Sequence, residues 1–342
     1  MGGNAMAKFG ARRYSKEEAD VVRYELFSAI KKYLPDLKFQ EIPYYRMKDS
    51  FGDLDILVEG PLTEDHYETF LTICKYQPHV INGGVMSTLY ENLQIDFIPM
   101  PPEDYETALT YYSYNDLGNL MGKTFHKFGL KYGHRGLTMP VRDGDHQFDE
   151  IVVSKDAREI FHFAGYSYRR FEDGFDTLKE IFDYVISTHF FSAETFQYEN
   201  LNHTNRIRDK KRSTYNAFLE YLKFNWNSDK NYKFEDDKDE YLDQIFGFFP
   251  DALFQYHAAI TELGIRKMTA EIYNGNLVSE ITGLKGHYLG KLMFQIKKKY
   301  GQPQTWALGK TNKQIWDIIV AEYNDYVPFH NMSVADYKLE KI

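Results

Sequence analysis

The chain has 342 residues, of which 43% are hydrophobic and 17% aromatic, so it has enough apolar material for one large domain or two to three smaller ones. Its formal net charge of −9 argues against a nucleic-acid-binding protein that is basic over its whole surface, so any basic footprint must be local. The single cysteine, Cys74, excludes an intramolecular disulfide and a multi-cysteine zinc site and favours a cytoplasmic protein, and because no apolar run approaches the ~20 residues of a membrane span, no membrane partner is expected.

The predicted elements of the first hundred residues alternate between helix and strand. Residues 1–12 are basic and unpatterned, and we predict that they form a flexible lead. The run Ser15-Lys-Glu-Glu18 is a capping box that begins a helix ending near Tyr33. The pattern that follows predicts a strand over 37–43, a strand over 54–58, a helix over 63–76, and a hairpin with strands over 85–90 and 93–99. This order predicts a small mixed sheet with helices packed on it.

From Pro101 onward the pattern becomes mostly helical. Helices are predicted over 103–110, 118–128, 155–163 and 175–188, with glycine-rich short strands over 129–153. The remainder is also predicted to be helical, apart from a charged stretch over 227–240 that is typical of a solvated linker. The chain is therefore predicted to be an α+β protein with a mostly helical C-terminal domain.

Three aspartates carry the strongest chemical signal. Asp53 and Asp55 are two positions apart, a spacing that places both side chains on the same face of a strand. Asp96 lies in a later apolar strand, where a lone buried charge requires a partner. If the two strands are neighbours, the three carboxylates converge and can hold two divalent metals for phosphoryl displacement. Magnesium is the expected cofactor because it prefers hard oxygen ligands, and Mn²⁺ is the alternative.

One short segment is basic and could bind phosphates locally, although the net charge of the whole chain is negative. It precedes Tyr215 and Phe218, so its cations could grip phosphates while the aromatic residues face inward, although a solvated charged face explains it equally well. Its candidate nucleic-acid-binding residues are Arg206, Arg208, Lys210, Lys211 and Arg212.

Four stretches of the sequence together indicate one enzyme family. They are Tyr14–Ala19 followed by a helix, Phe51–Val58 with its Gly-Asp-x-Asp motif, Gln94–Tyr105 with the third aspartate, and Gly129–Leu137. In order and spacing they resemble the palm and thumb of family X DNA polymerases, which belong to the polymerase-beta-like nucleotidyltransferase superfamily. The resemblance implies a nucleotidyltransferase palm over 13–110, a thumb-like subdomain over 111–190 and an additional helical domain over 191–342.

The resemblance also implies a reaction and a role for particular positions. The protein would transfer a nucleotide from a nucleoside triphosphate to the 3′ hydroxyl of a nucleic acid, with DNA favoured over RNA. Asp53, Asp55 and Asp96 would bind metal, and Asp96 would also accept the primer hydroxyl proton or orient that hydroxyl. The remaining implied roles are triphosphate binding by Arg46 and Gly52, sugar contacts by Tyr111 and Tyr112, contacts near the incoming base by Asp116 and Asn119, and a contact to the template minor groove by Lys123.

Two short stretches depart from the family pattern. Ile42-Pro43 replaces a Gly-Ser pair, and Tyr114 replaces a glycine, so an altered nucleotide pocket is expected. In addition, Gly283–Lys291 is loosely similar to the tail of tRNA nucleotidyltransferases. Two alternatives to a DNA polymerase therefore stay open, which are an enzyme acting on RNA or tRNA 3′ ends and a catalytically weakened relative that binds nucleic acid.

Overall fold

The computed structural model describes residues 5–329, with side chains described as far as residue 326. The strands are β1 (Tyr14–Ser15), β2 (Phe39–Glu41), β3 (Ser50–Phe51), β4 (Asp53–Glu59), β5 (His79–Asn82), β6 (Val85–Tyr90), β7 (Leu93–Met100), β8 (Lys131–Gly133), β9 (Gly136–Asp143) and β10 (His146–Ser154). The helices of the first two hundred residues are α1 (Lys16–Tyr33), α2 (Glu64–Ile73), α3 (Tyr105–Tyr112), α4 (Leu117–Lys127), α5 (Ala157–Phe163), α6 (Tyr168–Glu172) and α7 (Leu178–Val185). The later helices are α8 (His203–Lys210), α9 (Ser213–Asn225), α10 (Leu242–Phe248), α11 (Pro250–Ile272), α12 (Gly275–Thr282), α13 (Gly286–Tyr300), α14 (Pro303–Trp306) and α15 (Asn312–Phe329).

A five-stranded mixed sheet organises the N-terminal part of the chain. Its strand order is β2-β4-β7-β6-β5, in which β4 and β7 run parallel and all other neighbours run antiparallel. The predicted hairpin is present, and Glu91 in its turn has the left-handed φ of 54° that tight hairpin turns need. The expected α+β class with a mixed sheet is therefore observed, and β5 is an additional edge strand that the pattern did not predict.

The capping box predicted for the first helix is formed. The Ser15 hydroxyl accepts a hydrogen bond from the Glu18 amide at 3.2 Å, and the Glu18 carboxylate accepts one from the Ser15 amide at 2.8 Å. These two bonds satisfy amides that the first turn of a helix leaves without partners. The start of α1 is thus fixed by local sequence, and β1 immediately before it pairs with β3.

The two faces of the five-stranded sheet are covered by different helices. Leu54 of β4 belongs to a core formed with α1 and α2, whereas Leu57 packs with Tyr105 of α3 on the opposite face. Because side chains alternate along a strand, Asp53 and Asp55 lie on the same face as Leu57. The sheet therefore presents its acidic residues on the α3 side, beyond the apolar part of that face.

The chain forms two compact units. The first comprises residues up to 140 together with 150–253, and the second comprises 141–149 together with the chain from 254 onward. The first unit covers the predicted palm range, the predicted thumb-like range except for 141–149, and part of the range predicted as a C-terminal domain. The second unit confirms the expected helical C-terminal region, because α12, α13 and α15 enclose a core that includes Val278, Leu292 and Ile319. No helix in the described part of the chain is long and apolar enough to cross a membrane.

Within the described part of the predicted flexible lead, two backbone amides hydrogen-bond to β7 and to the turn before it, while residues 7–10 are exposed. Met6 is fully buried, and its backbone amide donates a hydrogen bond of 3.1 Å to the Gln94 side chain. The Arg12 amide donates to the Asn92 carbonyl at 2.9 Å. The basic composition of this segment gave no indication that Met6 would be buried.

The stretch over 227–240 is not a solvated linker. Tyr232 donates its backbone amide to the Phe191 carbonyl at 2.8 Å, and its ring packs against Phe190. Phe234 packs against Phe128, with ring centroids 5.4 Å apart. The charged residues of this stretch face water, while its aromatic residues fasten it to the first unit.

Candidate metal centre

Two neighbouring strands bring the three predicted aspartates together. In the parallel ladder between β4 and β7, Asp55 lies directly opposite Asp96, and Asp53 lies opposite Gln94. One carboxylate oxygen of each aspartate lies within 4.8 Å of the corresponding oxygens of the other two. The convergence expected for neighbouring strands is therefore present, and the cluster could hold a metal ion.

Burial and mutual repulsion make this cluster unfavourable without a cation. Burial is the largest cause that raises the pKa of Asp53 to about 6, and the charges of Asp55 and Asp96 raise it further. Burial also raises the pKa of Asp96, again with a contribution from Asp55. A cation between the carboxylates would offset both effects, and three hard oxygen donors suit a divalent metal. The residues present therefore fit a metal held by Asp53, Asp55 and Asp96.

The side-chain amide of Gln94 orients the Asp96 carboxylate through hydrogen bonds. Asp96 is fully buried, and Gln94 donates from Nε2 to both of its carboxylate oxygens at 3.0 and 3.1 Å. The Gln94 oxygen accepts the Met6 amide, so the orientation of the Gln94 amide group is fixed by hydrogen bonds at both ends. This arrangement sets the direction of the Asp96 carboxylate before any metal binds.

A cleft of about 610 Å³ opens above Asp53 and Asp55. This volume lies within the roughly 300–1,000 Å³ typical of small-molecule sites. Its walls come from β4, the end of α3, the start of α4 and the junction between α8 and α9. The polar residues that line it besides the two aspartates are Glu41, Tyr44, Lys48, Tyr111, Tyr112, Asn115, Asp116, Asn119, Lys211, Arg212, Ser213 and Thr214.

Lys48 lines the cleft, and the charges of Asp53 and Asp55 act on its pKa. Burial is the largest cause that lowers the pKa of Lys48, and the two aspartates oppose that change. Its ammonium group also lies 4.6 Å from the centre of the Phe51 ring. The family resemblance implied a phosphate-binding role for Arg46 and did not indicate Lys48, which lies two positions further along the same irregular segment.

Arg46 is engaged elsewhere and is not among the residues that line the cleft. Its guanidinium pairs with Asp176 at 2.5 Å and donates to the Asp173 carbonyl. These contacts tie the segment before β3 to the segment between α6 and α7. Gly52 lies at the start of β4, where a side chain would approach the Arg13 guanidinium to 3.1 Å.

Tyr111 and Tyr112 both line the cleft at the end of α3. Their rings are 5.3 Å apart, and Tyr111 also contacts Tyr132 edge to face at 5.3 Å. Burial raises the pKa of Tyr112 to about 12, so this hydroxyl stays protonated and can donate near neutral pH. A side chain at Gly118 would collide with the Tyr111 carbonyl, and this close approach sets α4 against the tyrosine pair.

Tyr114 does not fill the cleft. Its ring packs edge to face between Phe171 and Phe175, at 5.2 and 4.9 Å, and it is absent from the cleft lining. Tyr114 and Asn115 have φ values of 60° and 63°, a left-handed conformation that is uncommon outside glycine. This turn directs the Tyr114 ring away from the cleft, while Asn115 lines it.

One stripe of α4 is paired with α8 and the residues that follow it. Lys123 forms a buried ion pair with Asp209 at 2.5 Å, with side chains 4% and 0% exposed. Asn119 accepts a hydrogen bond from Arg208 at 2.8 Å, and Asp116 pairs with Arg212. The residues that the resemblance placed near the incoming base and the template are thus engaged by the chain's own basic segment.

A second cleft, of about 430 Å³, shares Tyr111 and Asn119 with the first. Its lining is basic, because it contains cations from α4, the β8–β9 hairpin and α8, partly balanced by Glu150. Glu150 pairs with Lys131 at 2.5 Å. The cationic residues of this lining are Lys123, Lys131, Arg135 and Arg208.

Only some residues of the predicted basic segment line a cleft. Arg208, Lys211 and Arg212 line one of the two clefts, whereas Arg206 and Lys210 line neither. Arg206 donates to the Leu201 carbonyl at 2.9 Å, and Lys210 lies 5.4 Å from the centre of the Tyr198 ring. Helical spacing explains the division, since Arg206 and Lys210 are four positions apart and share a face of α8 that differs from the face of Arg208.

No protein-family model matches the chain, and no curated protein matches it, so these comparisons do not indicate a family.

Proposed function

We propose that this protein is a metal-dependent nucleotidyltransferase that joins a nucleoside monophosphate from a triphosphate to the 3′ hydroxyl of a nucleic acid. The observation that carries the proposal is the convergence of Asp53, Asp55 and Asp96 within 4.8 Å, with Asp53 and Asp55 lining a cleft of nucleotide size and Asp96 buried beside them. Magnesium is the proposed metal, as two ions, because hard carboxylate oxygens and phosphate oxygens are the ligands it prefers.

In the proposed reaction, the 3′ oxygen attacks the α-phosphorus of the nucleotide. A new phosphorus–oxygen bond forms to the 3′ oxygen, the bond to the β-phosphate oxygen breaks, and pyrophosphate leaves. Bound magnesium would lower the pKa of the attacking hydroxyl and neutralise charge on the leaving group. Positioning and charge stabilisation supply most of the catalysis in this class of reaction.

The chain's own cations are placed to hold the triphosphate. Lys48 lies near the carboxylates, and Lys211 and Arg212 line the same cleft from the α8–α9 junction. We assign the phosphate contact to these three side chains rather than to Arg46, which does not line the cleft. Ion pairs with phosphate are strongest where several cations converge, and a guanidinium can bind phosphate with two parallel hydrogen bonds.

The nucleic acid is proposed to enter along the second cleft. Its cations Lys131, Arg135 and Arg208 supply the local basic footprint that an acidic protein needs in order to bind phosphates. DNA is the leading substrate because of the family X resemblance. Addition to an RNA or tRNA 3′ end is the alternative that follows from the similarity of Gly283–Lys291 to tRNA nucleotidyltransferases.

A direct incorporation assay tests the proposal. Full-length protein is incubated with Mg²⁺ or Mn²⁺, labelled dNTPs or NTPs, and a panel of primed DNA, single-stranded DNA, RNA and tRNA. Transfer of label onto any member that is lost in EDTA and in Asp96→Ala, but retained in the exposed control Asp36→Asn, supports the proposed function. Absence of transfer on every member refutes it, and the panel member that accepts label identifies the substrate.

A further inference from the structure

The second unit contains a basic stretch of sequence within an acidic protein. Residues 281–316 include seven lysines and no aspartate or glutamate, although the whole chain has a formal net charge of −9. Lys299 is paired with Glu322 at 2.5 Å. The other three lysines of α13 are exposed and have no ion pair within residues 5–326, and they are Lys291, Lys297 and Lys298. Cations that lack partners within the protein favour a ligand that carries several negative charges.

A phenylalanine side chain lies between these lysines on α13. Lys291, Phe294 and Lys298 are three and four positions apart, so they share one face of the helix. Phe294 is 67% exposed, and its ring contacts no other aromatic ring in the described part of the chain. Single-stranded nucleic acids bind to surfaces of this kind, because their bases stack on aromatic rings while their phosphates pair with nearby cations.

A small pocket lies beside Phe294. Its volume is about 170 Å³, and its wall includes Phe294, Lys297, Tyr273 and Trp306. An apolar cavity of about 150 Å³ holds one benzene molecule, so this pocket has room for one six-membered ring. The single ring of a pyrimidine therefore fits the pocket better than the two fused rings of a purine.

Two hydrogen-bond donors of the pocket lining lack partners. Tyr273 and Trp306 are 5% and 8% exposed, and their ring centres are 4.9 Å apart. The Tyr273 hydroxyl and the Trp306 Nε1–H are buried without a hydrogen-bond partner among residues 5–326. Burial raises the pKa of Tyr273 to about 12, so its hydroxyl remains a donor near neutral pH. Buried donors are costly when they are unpaired, and the carbonyl oxygens of a pyrimidine are acceptors.

We propose that this pocket binds one unpaired pyrimidine base of a single-stranded nucleic acid. The base packs against Phe294 and accepts a hydrogen bond from Tyr273 or Trp306, and its flanking phosphates pair with the unpaired lysines of α13. The pocket shares no lining residue with the two clefts of the first unit. The proposal concerns binding alone, so it stands or falls separately from nucleotidyl transfer.

Binding to short single strands in EDTA is the first test. Fluorescence anisotropy measures the affinity of full-length protein for oligo(dT), oligo(U) and oligo(dA) of about 12 nucleotides, and for a duplex of the same length. We expect the pyrimidine strands to bind more tightly than oligo(dA), and the tighter of oligo(dT) and oligo(U) identifies the sugar. Phe294→Ala should weaken binding of pyrimidine strands about 5- to 150-fold and leave duplex binding unchanged, because it removes one stacking contact. Phe254→Ala, a matched change at an exposed phenylalanine of α11, should preserve both affinities. Absence of single-strand binding, equal binding of oligo(dA), or equal effects of the two variants overturns the inference.

A fluorine NMR signal reports on the pocket itself. In protein labelled with fluorotryptophan, Trp306→Phe identifies the signal of Trp306, which oligo(dT) should shift and a duplex should not. Tyr273→Phe should weaken oligo(dT) binding about 2- to 10-fold through loss of one hydrogen bond. The same variant should keep the melting temperature of the free protein, because the hydroxyl has no partner to lose among residues 5–326. An unshifted Trp306 signal, or a Tyr273→Phe variant that loses stability without losing affinity, contradicts the proposed site.

The salt dependence of binding tests the lysines. Lys297→Ala combined with Lys298→Ala should make the slope of log K against log salt shallower by about 1.4, at about 0.7 for each phosphate contact on a single strand. Lys31→Ala combined with Lys32→Ala, an adjacent exposed pair in the last turn of α1, should leave the slope unchanged. Equal slopes for the two double variants overturn the phosphate contacts. Binding to phosphatidylserine vesicles that requires Lys297 and Lys298, with no binding of single strands, would assign this surface to a membrane and overturn the inference as well.

Discussion

The three clustered carboxylates repel one another when no cation lies between them, and Asp53→Asn tests this repulsion directly. In the folded protein the pKa of Asp53 is about 6, against an ordinary value of 3.8, because of burial and the neighbouring charges of Asp55 and Asp96. A rise of about two pH units corresponds to about 3 kcal/mol at about 1.4 kcal/mol per unit. Asparagine has nearly the same shape and carries no charge, so it removes this penalty.

The sign of the effect depends on pH. Since the pKa of Asp53 is higher in the folded protein than in the unfolded chain, the folded state binds more protons, and stability falls as the pH rises from about 4 through about 6. In EDTA at pH 8, Asp53→Asn should therefore be more stable than the wild type by about 2–3 kcal/mol. At about 2–4 °C per kcal/mol, the melting temperature should rise by about 4–12 °C. At pH 4 the two proteins should melt together, because Asp53 is then protonated.

Metal should reverse this order. The wild type gains stability from any ion that binds only the folded state, and the variant has lost one ligand. Thermal unfolding at pH 4 and pH 8, in EDTA and in excess Mg²⁺ or Mn²⁺, measures all four conditions, with Asp36→Asn as an exposed control. A variant that is less stable than the wild type in EDTA at pH 8 would refute the argument that repulsion dominates at this site.

Four further substitutions separate the roles assigned above. Asp96→Ala should lower turnover more than about 100-fold, beyond the usual effect of removing a residue that only supports a ligand, while circular dichroism shows an unchanged fold. Lys48→Ala should raise the KM for nucleotide about 10- to 100-fold through loss of a charged contact, whereas Arg46→Ala should leave it unchanged, and equal effects would contradict the reassignment. Asp209→Asn should destabilise the protein by about 3–5 kcal/mol in denaturant titrations because Lys123 loses its buried partner, and a change below about 1 kcal/mol would show that Lys123 is satisfied in another way.

The carboxylate cluster could be predicted from sequence because its geometry is largely local. Two-residue spacing on a strand fixes the common face of Asp53 and Asp55, and an aspartate inside an apolar strand identifies Asp96. The one non-local requirement was that β4 and β7 be neighbours, and the structure meets it with Asp55 directly opposite Asp96. The hairpin and the capping box were predictable for the same reason, since each depends on residues within a few positions.

The rest of the cleft depends on contacts between distant parts of the chain. Arg46 and Lys48 lie in one irregular segment, and no periodicity there distinguishes the residue that faces the carboxylates. The basic segment suggested either a phosphate-binding face or a solvated one, but part of it pairs with α4, and 86 residues separate Lys123 from Asp209. Tyr114 was expected to alter the nucleotide pocket, and only the left-handed turn shows that its ring packs elsewhere.

The bond from Met6 to Gln94 couples the early part of the chain to the orientation of Asp96. The donor is a backbone amide, so replacing the Met6 side chain leaves the bond available, whereas a cut or a one-residue shift in this segment removes it. Without that donor the Gln94 amide group is free to turn over and present its oxygen to the carboxylate, which would place two acceptors face to face. An insertion or deletion that shifts the Met6 amide would therefore be expected to disturb the candidate metal site through Gln94.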